Sequence, residues 1–471
     1  MGFITRLKGW INMLFDGKVK EVFEVESVIS SAMEQKLKEC TDIYRGEPYW
    51  LDPDDHIKTI NFAKTICSET ARLTTLGISI KFDGSARSEW LQKQIDKEFF
   101  NIRNWVEYAS AFGTVVLKPN GDSVDLYTPG KFKITDQKDG ETTGIVFVNQ
   151  DYRPESKKYY TRLEYHRFLD DGLYAITNKC FVGDSENDLK KTIAIEETPW
   201  SGLMEEVVIQ NMISPLYAVL KTPLANNIDI NSPLSLPIFA DAIEELKDLD
   251  VAYSRNSKEI YDSKRTVLID SDRLLPSGRK IDSISGKAFE AKRQELNLPD
   301  YVKNVYGNGT DDFYQEINPS LSTTERLNGI NALLSQIGFK CGFSNGYFVF
   351  NEKTGMVTAT QVEADDRRTI QFIKDVRDKL EKCLNDLIYA INVFADLYDL
   401  APLGDYEVAY DFGDITYNHE EDRARWYSYA LQNKIPFYVY LMKFEGMTED
   451  EAKAMVAEAQ PKETRLFGGG E

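Results

Sequence analysis

A long amphipathic pattern constrains the fold of this chain more than any other feature. From residue 358 the sequence runs to Pro402 without a glycine or proline. Apolar residues recur there at intervals of three and four, as in a helix with one buried face. These residues are Ile373, Val376, Leu380, Cys383, Leu387, Ile391, Phe394 and Tyr398. The opposite face carries Lys374, Asp378, Lys382 and Asp386. We therefore predict one long helix with a buried apolar face and a solvent-exposed polar face, preceded by the polar stretch NEKTGM.

Charge and composition narrow the class of protein. The chain has 471 residues, of which 42% are hydrophobic, and a net charge of −20. This acidity argues against broad neutralisation of nucleic-acid phosphates, which needs a cationic surface. The five cysteines are dispersed, so no disulfide framework is expected. The amphipathic N-terminus MGFITRLKGWINMLF is predicted to dock on its own domain or on a neighbouring subunit, with an interfacial membrane helix as the alternative.

Changes in residue pattern predict an α+β organisation. Residues 22–110 have helical periodicity, and residues 114–200 alternate apolar and polar residues as an antiparallel sheet does. We expect the strand at 406–417 to join that same sheet. A helix is predicted from Pro237, well placed as its first residue, to Ser263. A second helix is predicted at 322–338. Residues 265–318 are then a separate segment inserted between the two helices.

No pattern for catalysis or for cofactor binding is present. The glycine and lysine spacing between Gly278 and Lys287 does not fit a phosphate-binding loop. Asp411-Phe412-Gly413 lacks the other motifs of a kinase. Acidic turns such as Asp270-Ser-Asp272 are ordinary in so acidic a chain, although a carboxylate-bound metal is an alternative. We predict no catalytic residues, no metal site and no cofactor, and hence no enzyme.

Several stretches, taken in order, resemble the portal proteins of long-tailed (siphovirus-type) bacteriophages, in particular the group common in phages of Gram-positive hosts. The less specific stretches are IYRGEPYW (43–50), YASAFGTVVLKP (108–119) and YYTRLEYHRF (159–168). The more specific ones are NNIDINSPLSLPIFADAIEELKDLDVAYSRNSKEI (226–260) and GFSNGYFVFNEKTGMVTATQVEADDRRT (342–369). The likeness covers about residues 40–400, and Gln361 stands where the family pattern leads us to expect glutamate.

The resemblance implies a phage portal fold assembled as a ring, usually of about twelve subunits, at one capsid vertex. Its regions are a mixed wing domain, a helical stem, a small α/β clip and a helical crown. On this chain the wing is expected at 1–235 and 358–418, the latter as the long helix and a returning strand. The stem helices are expected at 236–264 and 319–341, the clip at 265–318, the tunnel loop at 342–357 and the crown at 419–471.

The resemblance also implies roles for particular residues. In the tunnel loop, which would project into the DNA channel, they are Lys340, Gly342, Asn345, Gly346, Asn351, Lys353, Thr354 and Gly355. In the clip, which would dock terminase and the adaptor, they are Arg265, Asp270, Asp272, Arg273, Arg279 and Lys280. In the stem they are Arg255, Lys258 and Arg326.

The implied partners are other copies of the chain, double-stranded DNA passing through without sequence preference, the terminase large subunit, the head-tail adaptor, and the scaffold and major capsid proteins. The implied location is the portal vertex of the virion, and the host cytoplasm during assembly. Two alternatives stay open at this point. One is another virion structural protein, such as an adaptor or minor capsid protein. The other is a metal-dependent nucleotidyl- or phosphotransferase.

Overall fold

The computed structural model describes residues 15, 17–52, 54, 56–121, 123–169, 172–263, 266–270, 280–281, 288–289, 302–305, 314–317, 323–350, 367–413, 426–432, 434–445 and 447–459. The chain forms two compact units. The larger contains Met1–Thr75 and Ile80–Tyr410, and the smaller contains Leu76–Ser79 and Asp411–Glu471. Both helices and sheets are present, which confirms the α+β class. Within the described ranges, no helix has the length and apolarity needed to cross a membrane.

The N-terminal part is helical with one short strand. Its elements are α1 (Ser31–Tyr44), α2 (Phe62–Thr74), β1 (Ser79–Gly84), α3 (Ala86–Glu98) and α4 (Ile102–Phe112). Ser30 and Ser85 cap α1 and α3, because each side chain accepts a hydrogen bond from a backbone N–H in the first turn. Gly113, with φ +77°, ends α4 and leads into the first sheet.

Residues 114–221 form two antiparallel sheets rather than the one that was predicted. The first contains β2 (Thr114–Asn120), β3 (Ser123–Tyr127) and β10 (Ala218–Lys221), in the order β10-β2-β3. The second has the order β4-β5-β6-β7-β8, with β9 also paired to β7. Its strands are β4 (Phe132–Lys138), β5 (Glu141–Arg153), β6 (Lys158–Phe168), β7 (Tyr174–Gly183), β8 (Lys191–Ile193) and β9 (Glu206–Ile209).

Two amphipathic segments pack against the sheets. Phe15 and Val19, in the helical stretch that ends at residue 23, pack into a cluster with Val146, Leu163 and Phe181. Phe15, which ends the predicted amphipathic stretch, is therefore packed on its own chain, and residues 1–14 lie outside the described residues. The other segment is the long helix α7 (Arg367–Leu397), whose Ala390 lies in a core cluster with Tyr174, Met212 and Leu216.

The long helix confirms the periodic pattern with one exception. Its 31 residues correspond to about 46 Å. The predicted seam is buried from Ile373 to Ile391, but Tyr398 is 61% exposed because the helix ends at Leu397. Arg377, in contrast, is buried although it is charged. Its guanidinium donates to the carbonyls of Leu73 and Thr74, at 3.1 and 3.0 Å, and so satisfies the C-terminal end of α2.

The predicted pairing of the returning strand is wrong. Strand β16 (Tyr406–Asp411) pairs with β1 and not with the sheets of residues 114–221. The two strands are more than 300 residues apart in the sequence, so no local pattern signals their pairing. Strand β1 itself was missed, because SIKFDG is short and lies between helices that continue the helical periodicity on both sides.

The helix predicted from Pro237 begins six residues later. Helix α5 spans Ile243–Asp262 and follows a short 3-10 turn at Ala240–Ala242. The N–H groups of Ala240 and Ala242 bond to the carbonyls of Pro237 and Phe239, three residues and not four residues back. At 20 residues α5 is about 30 Å long, compared with the expected ~40 Å. Helix α6 spans Thr323–Lys340.

Between α5 and α6 the described residues are strands. A three-stranded sheet has the order β14-β11-β15, and a small hairpin joins β12 and β13. These are β11 (Thr266–Asp270), β12 (Lys280–Ile281), β13 (Ala288–Phe289), β14 (Val302–Val305) and β15 (Tyr314–Ile317). In the smaller unit, helical residues 426–431, α8 (Phe437–Glu445) and α9 (Glu449–Ala459) share a core that includes Ala430, Tyr440 and Ala452.

Candidate functional site

Helices α5 and α6 form an antiparallel pair that is held at both ends by charges. Glu259, near the end of α5, forms an ion pair with Arg326, near the start of α6. At the other end, Lys340 Nζ lies 2.6 Å from Glu245 Oε1 and donates to the Asp241 carbonyl at 2.9 Å. Gln336 also donates to Glu245, at 3.0 Å. Two of the predicted site residues, Arg326 and Lys340, therefore stabilise the helix pair.

The surface of this helix pair carries both exposed cations and exposed apolar side chains. Arg255 and Lys258 are exposed on α5, as expected of surface cations. Close to the Glu259–Arg326 ion pair, however, Ile260 is 53% exposed and Leu327 is 42% exposed. Because these two side chains flank partners in one ion pair, they lie near one another on the same part of the helix pair.

The first half of the predicted tunnel loop is a packed turn. Phe343 is fully buried, and its ring contacts the rings of Tyr347, Phe348 and Phe372 at centroid distances of 5.1, 4.8 and 5.9 Å. The backbone N–H of Ser344 donates to Thr369 Oγ1 at 2.8 Å, and the N–H of Thr369 donates to Ser344 Oγ at 3.2 Å. These bonds fix the turn to the first residues of α7. Residues 342–344 therefore pack against the start of α7, while Asn345 and Phe350 are exposed and residues 351–357 lie outside the described residues.

Other predicted loop residues also have structural contacts here. Gly342 has φ +93°, and a Cβ at this position would lie 2.6 Å from the Phe372 ring. Asn345 Oδ1 accepts a hydrogen bond from the Ser335 hydroxyl. Gly346 has φ +82° with open space around it, and its N–H donates to Ser335 Oγ at 3.1 Å. Residues Asn351, Lys353, Thr354 and Gly355 lie outside the described residues.

The structure places only two of the predicted clip residues. Asp270 ends β11 and is paired in register with Val305 of β14, and Lys280 begins β12 opposite Phe289. Residues Arg265, Asp272, Arg273 and Arg279 lie outside the described residues.

A buried cluster of charges, which was not predicted, lies between the two antiparallel sheets. Arg162, Glu164 and His166 alternate along β6 and so share one face, which meets Lys118 of β2. Glu164 forms ion pairs with Lys118 and, at 3.0 Å, with Arg162, and it accepts from His166 Nε2 at 3.0 Å. All four side chains are less than 10% exposed. The alternation R-x-E-x-H in a predicted strand was the available signal.

Burial and pairing set the protonation of this cluster. Burial alone would raise the pKa of Glu164, but Lys118, His166 and Arg162 together hold it well below its usual range. Burial lowers the pKa of Lys118 and of His166, and in both cases Glu164 opposes the shift. The imidazole is therefore neutral, with its proton on Nε2 facing the carboxylate. Its Nδ1 accepts from the Tyr174 hydroxyl, at 2.8 Å.

This cluster predicts a loss of stability in weak acid. Because the folded-state pKa of His166 lies below its unfolded value of about 6.5, the unfolded chain binds more protons as the pH falls. Above pH ~6.5, His166 does not lower the free energy of unfolding. Below that pH, the free energy of unfolding declines by up to about 1 kcal/mol per pH unit. Urea unfolding at about pH 7.5 and about pH 5.5 measures this slope. A His166→Gln variant is expected to reduce it, whereas the exposed His56→Gln is expected to leave it unchanged.

Comparisons with known proteins give little help. No protein-family model matches the chain, and no curated protein matches it. A solved structure described as "Virion of native gene transfer agent (GTA) particle" contains a chain that is similar over 88% of this chain and 93% of its own length. The identity is 10% and the TM-score is 0.40. A TM-score this low does not establish a shared fold, so this likeness carries no weight in assigning a function.

Among the described residues, no group of three or more histidine, cysteine, aspartate or glutamate side chains is arranged to hold a metal ion. The cysteines are buried and carry free thiols, and burial raises the pKa of Cys40 to about 12. Such a thiol stays protonated at neutral pH and is a poor nucleophile. The buried cluster around Glu164 joins the two sheets, although Arg162 Nε has no hydrogen-bond partner in the described part of the chain.

Proposed function

We propose that this chain is the subunit of a phage portal ring, which forms the channel for DNA at one capsid vertex. The observation that carries the proposal is the antiparallel pair α5–α6, which flanks an inserted small sheet. This arrangement suits a stem with a clip at its end, in the order that the sequence resemblance implies. Lys340 and Arg326 act within the subunit, where they fix the two stem helices to each other.

Charge supports the same proposal. A ring of about twelve subunits, each with a net charge of −20, carries about −240. An acidic channel repels the phosphates of a duplex, so DNA slides through it and does not adhere. Because Lys340 is paired with Glu245, cationic contacts to DNA are expected from Lys353 rather than from Lys340. The proposed partners are the terminase, the head-tail adaptor, the scaffold and the major capsid protein.

The exposed apolar residues on the stem suggest how the ring is held together. Ile260 and Leu327 together would expose apolar surface to water in an isolated subunit. In a ring, the stem helices of neighbouring subunits bring such surfaces together, and their burial favours assembly. We expect these two side chains to lie between neighbouring stems.

Native mass spectrometry and negative-stain imaging test the proposal. The purified chain is expected to form a ring of about twelve copies with a central hole. An Ile260→Asp/Leu327→Asp variant is expected to weaken assembly by about a hundredfold or more, because two charges would be placed in an apolar contact. The control is Ile213→Asp/Ile230→Asp, which alters two side chains that are 86% and 84% exposed in loops.

The outcomes of this experiment distinguish the ring proposal from the proposed stem contact. A wild-type chain that stays monomeric or dimeric at high concentration would contradict the portal proposal. A wild-type ring that survives the Ile260→Asp/Leu327→Asp change, with assembly equal to that of the control, would keep the ring and refute the stem contact.

A further inference from the structure

A cationic groove lies on the surface of this acidic chain. Its volume is about 420 Å³, and helix α2 forms its long wall, with Arg103 of α4 also lining it. Lys64, Thr65, Ser68 and Arg72 of α2 line the groove at intervals that place them along one face of the helix. From Asn61 to Arg72 this wall is about 16 Å long.

Two of the cations in the groove form no ion pair in the described part of the chain. Arg72 is satisfied, because its guanidinium makes two bonds to Glu69, at 2.8 and 2.7 Å. Glu69 is satisfied as well, since it also accepts a hydrogen bond from the Tyr347 hydroxyl. Lys64 and Arg103 are exposed and form no ion pair within the described part of the chain, although the charge of Arg103 helps to lower the pKa of Glu69. The groove therefore has a surplus of two positive charges, in a chain whose overall charge is −20.

The neutral groups of the groove also suit an anion. The hydroxyls of Thr65 and Ser68 have no hydrogen-bond partner in the described structure and can donate. Asn61 precedes α2 with φ +51°, and its side chain does not cap the helix. Its Nδ2 donates instead to the Tyr44 carbonyl, at 3.1 Å. The first N–H groups of α2 are thus left without a side-chain cap, at the end of a helix where negative charge is stabilising.

We infer that this groove binds a short acidic segment of a second copy of this chain. The inference rests on the proposed ring. In a ring the contact is head-to-tail, so the groove of one subunit faces a different patch of its neighbour. Since each copy has 76 aspartates and glutamates and 56 lysines and arginines, a neighbour has more carboxylates than cations to present. A wall of about 16 Å fits roughly five residues of extended chain, enough to bring one carboxylate to Lys64 and another to Arg103.

This contact gives charge a second role in assembly. Like-charged subunits repel each other, and the repulsion weakens as salt is added. A cationic groove that receives carboxylates turns that repulsion into attraction at one place and fixes the orientation of the neighbour. In the ring, Lys64 and Arg103 would gain carboxylate partners from the neighbouring subunit.

The test compares two charge reversals of equal size. Lys64→Glu/Arg103→Glu alters the groove, and Lys93→Glu/Lys138→Glu alters two exposed lysines outside it. Each variant changes the net charge by the same amount. Ring assembly is measured by sedimentation velocity at about 0.05 M and about 0.5 M salt. The groove variant is expected to need a concentration at least about tenfold higher to assemble in low salt. A milder Lys64→Gln/Arg103→Gln variant is expected to show a smaller loss in the same direction.

Each result has a definite meaning. Equal assembly of the groove and control variants, or an equal loss in both, overturns the groove contact while leaving the ring in place. A wild-type chain that forms no ring overturns both the contact and the proposed function. Normal assembly of the groove variant together with reduced binding of a short DNA duplex would assign the groove to phosphates and so overturn the inference. Circular dichroism and the thermal midpoint check that the variants are folded.

Discussion

A Glu164→Gln variant is expected to lose about 3–5 kcal/mol of unfolding free energy at neutral pH. The carboxylate of Glu164 pairs with Lys118 and Arg162 and accepts from His166, all in a buried site. An amide keeps the shape but not the charge, so two buried cations lose their counter-ion. Leaving a charge buried without a partner costs far more than an intact pair contributes. Urea unfolding, followed by far-UV circular dichroism, measures the loss.

The matched control is Asp184→Asn, which removes the carboxylate of a solvent-exposed ion pair. Asp184 is 80% exposed and pairs with Lys158, so its loss is expected to cost less than about 1 kcal/mol. A Lys118→Met/Glu164→Gln double variant is expected to be more stable than Glu164→Gln by about 1 kcal/mol or more, because one orphaned cation is removed with its partner. Similar losses in Glu164→Gln and Asp184→Asn would show that the buried carboxylate does not hold the two sheets together.

The spacing of apolar residues predicted those helices and strands whose pattern lies within one continuous stretch of sequence. The seam from Ile373 to Ile391 defined α7 because a buried helical face repeats every three or four residues whatever it packs against. Alternation in residues 158–183 predicted β6 and β7 for the same reason. The pairing of β1 with β16 produces no such pattern in the sequence. Backbone hydrogen bonds between two distant strands require few particular side chains.

The glycine and polar content of residues 341–350 was a poor guide to whether this segment packs or projects into solvent. Glycines and polar residues predicted mobility, but Phe343, Tyr347 and Phe348 had the greater effect on the structure. Aromatic rings in a short segment bury a large apolar area, which favours packing over projection into solvent. The aromatic residues in GFSNGYFVF were therefore the better signal.

The charged residues show why a site is harder to predict than a fold. Lys340 was assigned to DNA from its place in a motif, yet its ammonium lies beside Glu245 on another helix. Lys118 and Glu164 are 46 residues apart, and their pairing depends on two sheets facing each other. Lys64 and Arg103 come together only because α2 and α4 pack side by side. Charge partners are set by tertiary packing, which a single sequence does not display.

A Gly342→Ala variant separates a flexible hinge from a packed turn. Gly342 has φ +93°, where a side chain is strained, and an added Cβ would lie 2.6 Å from the ring of Phe372. That ring packs against Phe343 and is 7% exposed, so it has little room to move. Backbone strain and overpacking together predict a loss of about 2–4 kcal/mol in unfolding free energy. Thermal and urea unfolding of the purified variant measure it.

Gly346→Ala provides the matched control, because it differs in only one of the two effects. Gly346 has a similar φ of +82°, but an added Cβ would meet no atom within 4 Å. Only backbone strain applies there, and the expected loss is about 1 kcal/mol. The difference between the two variants therefore isolates the contact with Phe372. If both variants lose the same small amount, the turn yields to an added methyl group and residues 342–350 behave as the hinge that the glycines suggested. If Gly342→Ala loses clearly more, the turn is a fixed part of the core that joins α6 to α7.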